Sequence, residues 1–305
     1  MPRERTSPAV LLLTGCNGQV GFELRRSLAP LGKVVALDRS GLDLSHPDDA
    51  RRVVREVRPD LIVNAAAYTA VDRAESEASL AETVNGIAPG VLAEEARAVG
   101  SLLVHYSTNY VFDGSKAAPY SESDAANPQS VYGRSKLAGE DAIAASGAAA
   151  LVLRTGWVAG VHGANFAKSI LALAREHENL RVVADQLGAP TTAALIADVT
   201  AQIVARFWLH GERERFPTGL YHLAAAGSTS WHGYAMEVLR YVQAKGVSLK
   251  ADATAVEPIP ASAYPTAARR PANSRLDTSK LRNTFGVHLP DWEQGIHHLL
   301  DQLYP

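Results

Sequence analysis

The sequence predicts an α/β fold in which a doubly wound parallel sheet is followed by a smaller C-terminal α/β lobe. From residue 9 to about residue 155, apolar segments of strand length alternate with segments of helical periodicity. This pattern is typical of parallel sheets with helices on both faces. A glycine-rich turn joins the first strand to the first helix. Beyond residue 155 the regular segments become fewer and are separated by loops rich in glycine and proline.

Each predicted element follows from its own stretch of sequence. Strands are predicted at 9–14, 33–37, 61–64, 102–106 and 150–154, and helices at roughly 19–29, 47–57, 77–99 and 129–147. In the second half, the patterns predict helices over 166–177 and near 193–208, a short strand over 220–223 and irregular chain over 258–271. We therefore predict a dinucleotide-binding Rossmann-like domain over residues 8–155. Residues 156–305 are predicted to form mainly a substrate-binding lobe, which can interleave with the first domain.

Composition and charge exclude several classes of function. The chain has 305 residues, which is enough for a large core and two lobes. Its 30 basic and 32 acidic residues are nearly balanced, so we expect neither nucleic acid nor an anionic membrane as a partner. The single cysteine, Cys16, cannot form an internal disulfide and fits a reducing compartment. The first eight residues are polar and carry no signal-peptide pattern, so we expect a cytoplasmic protein without a membrane span.

The glycine-rich turn is the first motif with chemical meaning. The apolar strand ends at Thr14, and Gly15, Gly18 and Gly21 follow at a GxxGxxG spacing before a helical segment. Glycines permit a tight turn and a close approach of the backbone to a pyrophosphate. The new helix offers free N–H groups and its positive dipole end to the phosphates. The strand–turn–helix context therefore predicts that these glycines bind a dinucleotide.

Two further strand ends extend the predicted cofactor site. The second strand ends at Asp38, which is placed to bind the adenosine ribose and favours NAD. Arg39 follows and can instead accept a 2′-phosphate, so the choice between NADH and NADPH stays open. Asp43-Leu44 can cover the adenine or form the turn before the next helix. After the third strand, the small residues Ala65-Ala66-Ala67 leave room for a cofactor across the strand ends.

Tyr132 and Lys136 are the candidate groups for proton transfer. They are four residues apart, so they project from the same face of a helix. A phenol titrates at about 10 in water, and a nearby ammonium lowers that pKa towards the working pH that general acid–base catalysis needs. A hydroxyl from Thr108 or Ser107 can hold a substrate carbonyl beside the phenol. The same Tyr–Lys spacing is common on solvated helix surfaces, and it is the glycine loop that favours chemistry here.

Together these motifs resemble the extended short-chain dehydrogenase/reductases, and within them the dTDP-4-dehydrorhamnose reductases. The segments that carry the resemblance are 14–21, 63–72, 105–114, 131–140, 185–191 and 263–276, and the last two are specific to this branch. The resemblance implies an NAD(P)H-dependent oxidoreductase, with NADPH or NADH as its cofactor. The implied reaction reduces the carbon-4 ketone of dTDP-4-dehydro-β-L-rhamnose and gives dTDP-L-rhamnose.

The resemblance also implies a role for each matching residue. Tyr132 would donate the proton to the forming alkoxide, Lys136 would bind the nicotinamide ribose and tune Tyr132, and Thr108 would hydrogen-bond the sugar oxygen. Trp157 would pack against the sugar. Asn109 stands where the family often has an aspartate, so we expect it to contact substrate without transferring a proton. The implied cofactor contacts are Gly18, Gln19 and Val20 with the pyrophosphate, Asp38 with the ribose, Asp43 and Leu44 with the adenine, and Ala65, Ala66 and Ala67 with the middle of the cofactor.

A metal is the one family feature that the sequence disfavours. Some members dimerise through magnesium held by glutamates. Glu23 and Glu293 match two of those positions, but Ala194 stands where a third glutamate would be. We therefore expect no metal site, treat magnesium as a doubtful cofactor, and expect a monomer or a weak homodimer.

Two other functions stay open. A sugar-nucleotide 4,6-dehydratase of the same family would carry an Asp-Glu pair after the catalytic threonine, where this chain has Asn109-Tyr110. An epimerase is compatible with the catalytic residues, although segments 185–191 and 263–276 argue against it. The third alternative is a non-catalytic regulatory subunit resembling that of methionine adenosyltransferase. The intact Thr108, Tyr132 and Lys136 favour an active reductase over that subunit.

Overall fold

The structure is a computed structural model that describes residues 8–305. Residues 1–7 lie outside the described residues. They make up most of the N-terminal segment for which we predict no signal peptide. No helix between residues 8 and 305 has both the length and the apolar character needed to cross a bilayer.

Strands and helices alternate along much of residues 8–305. The strands are β1 (Ala9–Thr14), β2 (Gly32–Leu37), β3 (Leu61–Asn64), β4 (Leu102–Thr108), β5 (Ala150–Thr155), β6 (Val158–Ala159), β7 (Leu180–Val183), β8 (Leu187–Gly188), β9 (Thr191–Thr192), β10 (Gly219–His222), β11 (Thr229–Ser230) and β12 (Val256–Ile259). The α-helices are α1 (Gln19–Leu28), α2 (Pro47–Val57), α3 (Val71–Ala74), α4 (Ala78–Glu82), α5 (Ala88–Val99), α6 (Val131–Ser146), α7 (Phe166–Glu176), α8 (Ala193–Ile203), α9 (Trp231–Ala244), α10 (Ser279–Phe285) and α11 (Trp292–Leu303). Thr83–Ile87 and Val204–Leu209 form π-helical turns.

The central sheet has six parallel strands in the order β10-β5-β4-β3-β1-β2. The chain builds β2 on one side of β1 and then β3, β4 and β5 on the other, so the strand order reverses beside β1. Helices α1 and α8 share an apolar core with one face of the sheet, and α2, α5 and α6 share another with the opposite face. The prediction of a doubly wound parallel sheet is confirmed. A ligand is expected at the strand ends beside β1, where the order reverses.

The second half of the chain contributes to both lobes. Strand β10 pairs with β5 and completes the central sheet, and α8 packs against α1 on its face. Helices α7, α9 and α11 pack together in a separate apolar core. The prediction of irregular chain over 258–271 was wrong at its start, because Pro258 and Ile259 belong to β12, which pairs with β7. The substrate-binding role of residues 156–305 stays a prediction.

Helix α6 has well-defined ends that fix the position of its side chains. At its start the Ser130 hydroxyl accepts a hydrogen bond from the Gly133 N–H at 3.1 Å, a capping interaction that satisfies one of the free donors of a first turn. At its end Gly147 adopts a left-handed φ of 67°, which glycine adopts without steric cost. Tyr132 therefore lies in the first turn, and Lys136 lies one turn later on the same face.

Candidate active site

The glycine loop lies tightly against the chain that leaves β3. Gly15 has a φ of +66°, and a Cβ on it would lie 2.6 Å from the Ala66 nitrogen. A Cβ on Gly21 would overlap with the Gly15 carbonyl oxygen. Only glycine fits either position, because any side chain would push the loop away from its neighbours. The loop therefore brings bare backbone to the carboxyl ends of β1 and β3.

A groove runs from this loop across the ends of the strands. Its lining residues are Gly15, Asn17, Gly18, Asp38, Arg39, Leu42, Asp43, Leu44, Ala65, Ala66, Ala67, Tyr68, Arg73, Leu80 and Val84. Most of the predicted cofactor-binding residues are therefore brought together on one surface. No described side chain caps the start of α1, which leaves its first-turn N–H groups available to an anion. The shape and the donors of the groove suit a dinucleotide.

Five predicted cofactor residues do not line this groove: Tyr132 and Lys136 on α6, and Gln19, Val20 and Gly21 at the start of α1. The Gln19 side chain turns to the second lobe, where its Oε1 accepts a hydrogen bond from Asn165 Nδ2 at 3.1 Å. Val20 packs against the apolar core, and Gly21 lies against Gly15. Any contact of Gln19, Val20 and Gly21 with a cofactor would therefore come from their backbone at the start of α1.

The strand-end acids are held in fixed positions. Asp38 accepts hydrogen bonds from the Ser40 N–H at 2.9 Å and from Asn17 Nδ2 at 3.0 Å. The Ser40 hydroxyl makes the largest contribution to lowering the pKa of Asp38, so the carboxylate is charged at neutral pH. Arg39 Nε donates to Asp43 Oδ2 at 3.0 Å, and Asp43 also accepts the Ser45 N–H in a turn before α2. Asp43 thus belongs both to the groove and to that turn.

Tyr132 and Thr108 meet at the carboxyl end of β4. The Thr108 hydroxyl lies close enough to the Tyr132 phenol to lower its pKa, and the Tyr110 ring contacts the Tyr132 ring edge-on, with centroids 5.5 Å apart. Burial has the larger effect and raises the pKa of Tyr132 to about 12. The phenol is therefore protonated at neutral pH.

The expected lowering of the Tyr132 pKa was wrong, because burial raises that pKa. Lys136 Nζ donates to the Tyr106 carbonyl oxygen at 2.6 Å and lies 3.1 Å from His105 Nε2. Burial lowers the pKa of Lys136 to about 8, whereas that of Tyr132 rises because burial disfavours the phenolate. The ammonium is held by partners on β4, and burial outweighs its attraction for the phenolate.

The choice between the two neighbouring hydroxyls is resolved by their directions. Ser107 donates to Glu140 on α6, and Glu140 is also held by Arg154, with Nε and Oε1 2.9 Å apart. Thr108 instead accepts the Tyr110 N–H at 3.1 Å and contacts Tyr132. Ser107 is therefore part of a buried ion-pair cluster, and only Thr108 lies beside the phenol.

The two remaining predicted substrate residues, Asn109 and Trp157, follow β4 and β5 of the central sheet. Asn109 is buried, and its Nδ2 has no hydrogen-bond partner among the described residues. Trp157 has a left-handed φ of 50° and stacks on Trp231 with ring centroids 3.5 Å apart. A Cβ on Gly188 would overlap with the Trp157 ring. The Trp157 ring is thus fixed by Trp231 and by the absence of a side chain at Gly188.

Some residues of the site were missed by the sequence analysis. Trp231 begins a helix far along the chain, and nothing in the sequence pairs it with Trp157.

The two segments that are specific to the resembling branch, 185–191 and 263–276, lie against each other. The Ser274 N–H donates to the Leu187 carbonyl oxygen at 2.7 Å. His105 had a visible signal, since it interrupts the apolar strand β4. A buried histidine in such a strand needs hydrogen-bond partners.

The residues matched to a family metal site lie on three helices, with Glu23 on α1, Ala194 on α8 and Glu293 on α11. Glu23 pairs with Arg26 at 3.2 Å and lines a surface pocket with Ala194 and Asp198, while Glu293 lies in the first turn of α11. Within residues 8–305, no group of three or more histidine, cysteine, aspartate or glutamate side chains is arranged to hold a metal ion. Metal binding and oligomeric state stay predictions.

Comparisons with known proteins identify the family of this chain. A family model described as the RmlD substrate binding domain matches residues 9–304. The chain is 49% identical over 286 residues to a dTDP-4-dehydrorhamnose reductase of Burkholderia thailandensis, covering 94% of this chain and 96% of the relative. It is 46% identical over 298 residues to that of Escherichia coli K12, covering 96% and 98%.

The chain belongs to the dTDP-4-dehydrorhamnose reductase family.

Solved structures of dTDP-4-dehydrorhamnose reductases have the same fold. The crystal structure of the enzyme from Bacillus anthracis str. Ames, in complex with NADP, matches with a TM-score of 0.88 at 32% identity and covers 97% of this chain and 99% of that one. A dTDP-4-dehydrorhamnose reductase from Clostridium acetobutylicum matches with a TM-score of 0.88 at 33% identity, covering 96% and 99%. The α/β fold expected from the resemblance is confirmed.

Proposed function

We propose that this protein is an NAD(P)H-dependent oxidoreductase that reduces the carbon-4 ketone of dTDP-4-dehydro-β-L-rhamnose to give dTDP-L-rhamnose. The observation that carries the proposal is the pairing of the protonated Tyr132 phenol with the Thr108 hydroxyl at the end of β4, in a chain whose glycine loop and strand ends line a groove. The names of relatives up to 49% identical supply the substrate, and the NADP complex of the Bacillus anthracis enzyme supports the cofactor.

The groove residues would hold the cofactor by backbone and carboxylate contacts. The N–H groups at the start of α1 and the bare loop at Gly15 and Gly18 would bind the pyrophosphate. Asp38 would bind the adenosine ribose, and Leu44 and Ala66 would contact the adenine and the middle of the cofactor. When bound, the dihydronicotinamide supplies the hydride that the sugar carbonyl carbon accepts.

Tyr132 is the proton donor of this reaction. Its raised pKa keeps the proton on the phenol oxygen at neutral pH, which is the state a general acid needs. Thr108 orients that oxygen and offers its own hydroxyl to the substrate carbonyl. As negative charge develops on the sugar oxygen, the O–H bond of Tyr132 breaks, and the new O–H bond of the alcohol forms.

Lys136 stabilises the phenolate that remains. Its position one turn after Tyr132 puts the positive charge on the same helix face, and the Tyr106 carbonyl oxygen fixes the ammonium there. The charge lowers the free energy of the phenolate relative to the phenol. On the substrate side, the unpartnered Asn109 amide would donate to a sugar oxygen, and Trp157 would pack against the ring.

The test is a coupled assay of purified protein. The substrate is generated in place by upstream enzymes, and the absorbance of NADPH at its nicotinamide band is followed with and without it. We expect substrate-dependent loss of absorbance, with dTDP-rhamnose as the chromatographic product. Bound NADPH without any loss would contradict the proposal and favour a regulatory subunit or a different ketosugar as substrate.

A further inference from the structure

A row of polar side chains crosses the middle of the apolar central sheet. Thr14 on β1, Asn64 on β3 and His105 on β4 are register partners on adjacent parallel strands, and all three are fully buried. Their neighbours on the same face are the apolar residues of the sheet core. Buried polar groups in such surroundings destabilise the fold unless they are hydrogen-bonded.

The row forms one continuous chain of hydrogen bonds that ends at Lys136. Thr14 Oγ1 lies 2.6 Å from Asn64 Oδ1, Asn64 Nδ2 lies 3.0 Å from His105 Nδ1, and His105 Nε2 lies 3.1 Å from Lys136 Nζ. Thr14 immediately precedes Gly15 of the glycine loop. The chain thus connects the start of the cofactor groove to the lysine behind Tyr132.

An ammonium at Lys136 fixes the direction of every bond in this chain. An ammonium has only donors, so His105 Nε2 must accept, and His105 Nδ1 then carries the imidazole proton and donates to the Asn64 amide oxygen. The Asn64 amino group in turn donates to Thr14. A neutral amine accepts as well as donates, so it also permits the reverse pattern, in which Thr14 donates to Asn64 Oδ1 and Asn64 Nδ2 donates to His105 Nδ1, as the Asn64 amide is oriented in the structure. A half-turn of the Asn64 amide interconverts the two patterns without a change of shape.

His105 is suited to this position because it stays neutral. Burial, and then the neighbouring Lys136, hold the pKa of His105 well below its ordinary value. The other ionisable groups around Lys136 are Tyr132 one turn earlier and Glu140 one turn later on α6. Glu140 favours the ammonium but is itself bound to Arg154 of β5. The acceptor directly against the ammonium, besides a backbone carbonyl, is the His105 ring.

We propose that His105 is the positioning residue of Lys136, and that the Thr14–Asn64–His105 chain stabilises the lysine ammonium by holding His105 Nε2 as a hydrogen-bond acceptor. This inference rests on the proposed function, since it gives the lysine of that reaction its charge. His105 touches neither substrate nor cofactor in this scheme. It acts through Lys136, and Asn64 and Thr14 act through His105.

The main test compares His105→Leu with His105→Gln. Leucine removes the acceptor, so the high-pH limb of the kcat profile should move to lower pH. The kcat at neutral pH should fall about two- to tenfold, because one lost hydrogen bond to a charged group lowers the pKa of Lys136 from about 8 by about one to two units. Glutamine reaches the Nε2 position with an amide oxygen, so it should restore most of the kcat and the position of the limb. The KM for the sugar nucleotide should stay within about twofold in both.

Asn64→Asp gives a prediction of opposite sign with little change of shape. A carboxylate cannot donate to His105 Nδ1, so it holds the proton there and keeps Nε2 an acceptor. Its negative charge also favours the ammonium. The high-pH limb should therefore move to higher pH. This variant keeps the inference testable if His105→Leu does not fold.

A matched control removes a buried hydrogen bond from the other face of β4. Thr200 Oγ1 lies 2.9 Å from the Tyr106 hydroxyl, away from the polar row. Thr200→Val should lower the melting temperature and leave the pH profile where it is. If His105→Leu and His105→Gln lose the same activity with an unmoved limb, or if Asn64→Asp leaves the limb unchanged, the inference is overturned.

A second readout separates this inference from the proposed function. The ε-carbon of Lys136 can be titrated by NMR in protein labelled with ¹³C-lysine, with the signal assigned by its absence from Lys136→Met. We expect its pKa to fall in His105→Leu and to rise in Asn64→Asp. If wild-type protein oxidises no NADPH but these shifts occur, the proposed function fails and the positioning role stands. If the protein is active and the shifts are absent, the positioning role fails.

Discussion

The cofactor side and the substrate side of the candidate site are built in different ways. On the cofactor side, each piece is the end of a strand and the few residues after it, and the pieces meet because parallel strands end at one edge. On the substrate side, the pieces come from distant parts of the chain. Trp157 stacks on Trp231, and Arg270 Nη2 lies 2.8 Å from Asp72 Oδ2.

The difference shows which kind of contact each side depends on. The cofactor side depends on close backbone approach, as at Gly15 and Gly21, so a single added methyl group disrupts it. The substrate side depends on side-chain stacking and on a partly exposed ion pair, whose individual contributions are smaller. In the proposed reaction Tyr132 supplies the proton, and its own removal leaves the stacking and the glycine loop in place. Four substitutions separate these three parts, from the largest expected effect to the smallest.

Tyr132→Phe removes the proton donor and leaves both binding surfaces intact. We expect turnover to fall by about 10²- to 10⁴-fold, the usual contribution of a positioned general acid. NADPH affinity and melting temperature should change little, because the ring and its packing against Tyr110 remain. Stopped-flow absorbance measures turnover, and fluorescence titration measures the NADPH affinity. Turnover equal to that of the wild type would remove Tyr132 from the reaction.

Gly21→Ala disrupts the cofactor side alone. Its Cβ would overlap with the Gly15 carbonyl oxygen, so α1 must move from the loop, at a cost of about 1–3 kcal/mol. We expect a lower melting temperature and at least about a tenfold loss of NADPH affinity for that displacement. Gly18→Ala is the milder partner, because its Cβ would lie 3.3 Å from the same oxygen. Equal cofactor affinity in both variants would show that close packing of the loop does not control binding.

Gly188→Ala disrupts the substrate side alone. The added methyl group would overlap with the Trp157 ring and displace it from its stack on Trp231. Loss of one aromatic contact corresponds to about a fivefold rise in the KM for the sugar nucleotide, with unchanged NADPH affinity. Steady-state kinetics with each substrate varied in turn measures both. A change in NADPH affinity instead would mean that the two sides are not independent.

Asp38→Ala tests whether the Asp38 carboxylate favours NADH over NADPH. If its carboxylate binds the ribose hydroxyls, NADH should lose several-fold in affinity, about the contribution of one charge-assisted hydrogen bond. NADPH should lose less, because a 2′-phosphate replaces one of those hydroxyls. Parallel fluorescence titrations of the two cofactors measure the ratio. An equal loss for both would make Arg39 or another contact the determinant.

The sequence predicts the cofactor side better than the substrate side for the same structural reason. The glycine loop, Asp38 and Ala65-Ala66-Ala67 are local patterns, and strand periodicity alone puts them at one edge of the sheet. The strand at 219–222 was also recognised, but its pairing with β5 was not. The stack of Trp157 on Trp231 is likewise absent from any local pattern, because it depends on how two distant segments pack.

The electrostatics of the site were the least predictable part. The sequence correctly predicted one helix that carries both Tyr132 and Lys136. It could not reveal that His105 and the Tyr106 carbonyl oxygen hold the ammonium. Nor could it reveal how strongly burial raises the pKa of Tyr132. The direction of the Ser107 hydroxyl towards Glu140 is a similar case. These properties depend on three-dimensional burial, which a motif does not encode.

The most direct test of the proposed reaction follows the hydride itself. The purified protein is supplied with NADPH that carries deuterium on nicotinamide carbon 4 and with dTDP-4-dehydrorhamnose, and the sugar nucleotide is analysed by NMR. The account predicts dTDP-L-rhamnose with deuterium on sugar carbon 4, and no labelled product from Tyr132→Phe over the same interval. Deuterium at another carbon, or unlabelled product, would contradict reduction of the carbon-4 ketone.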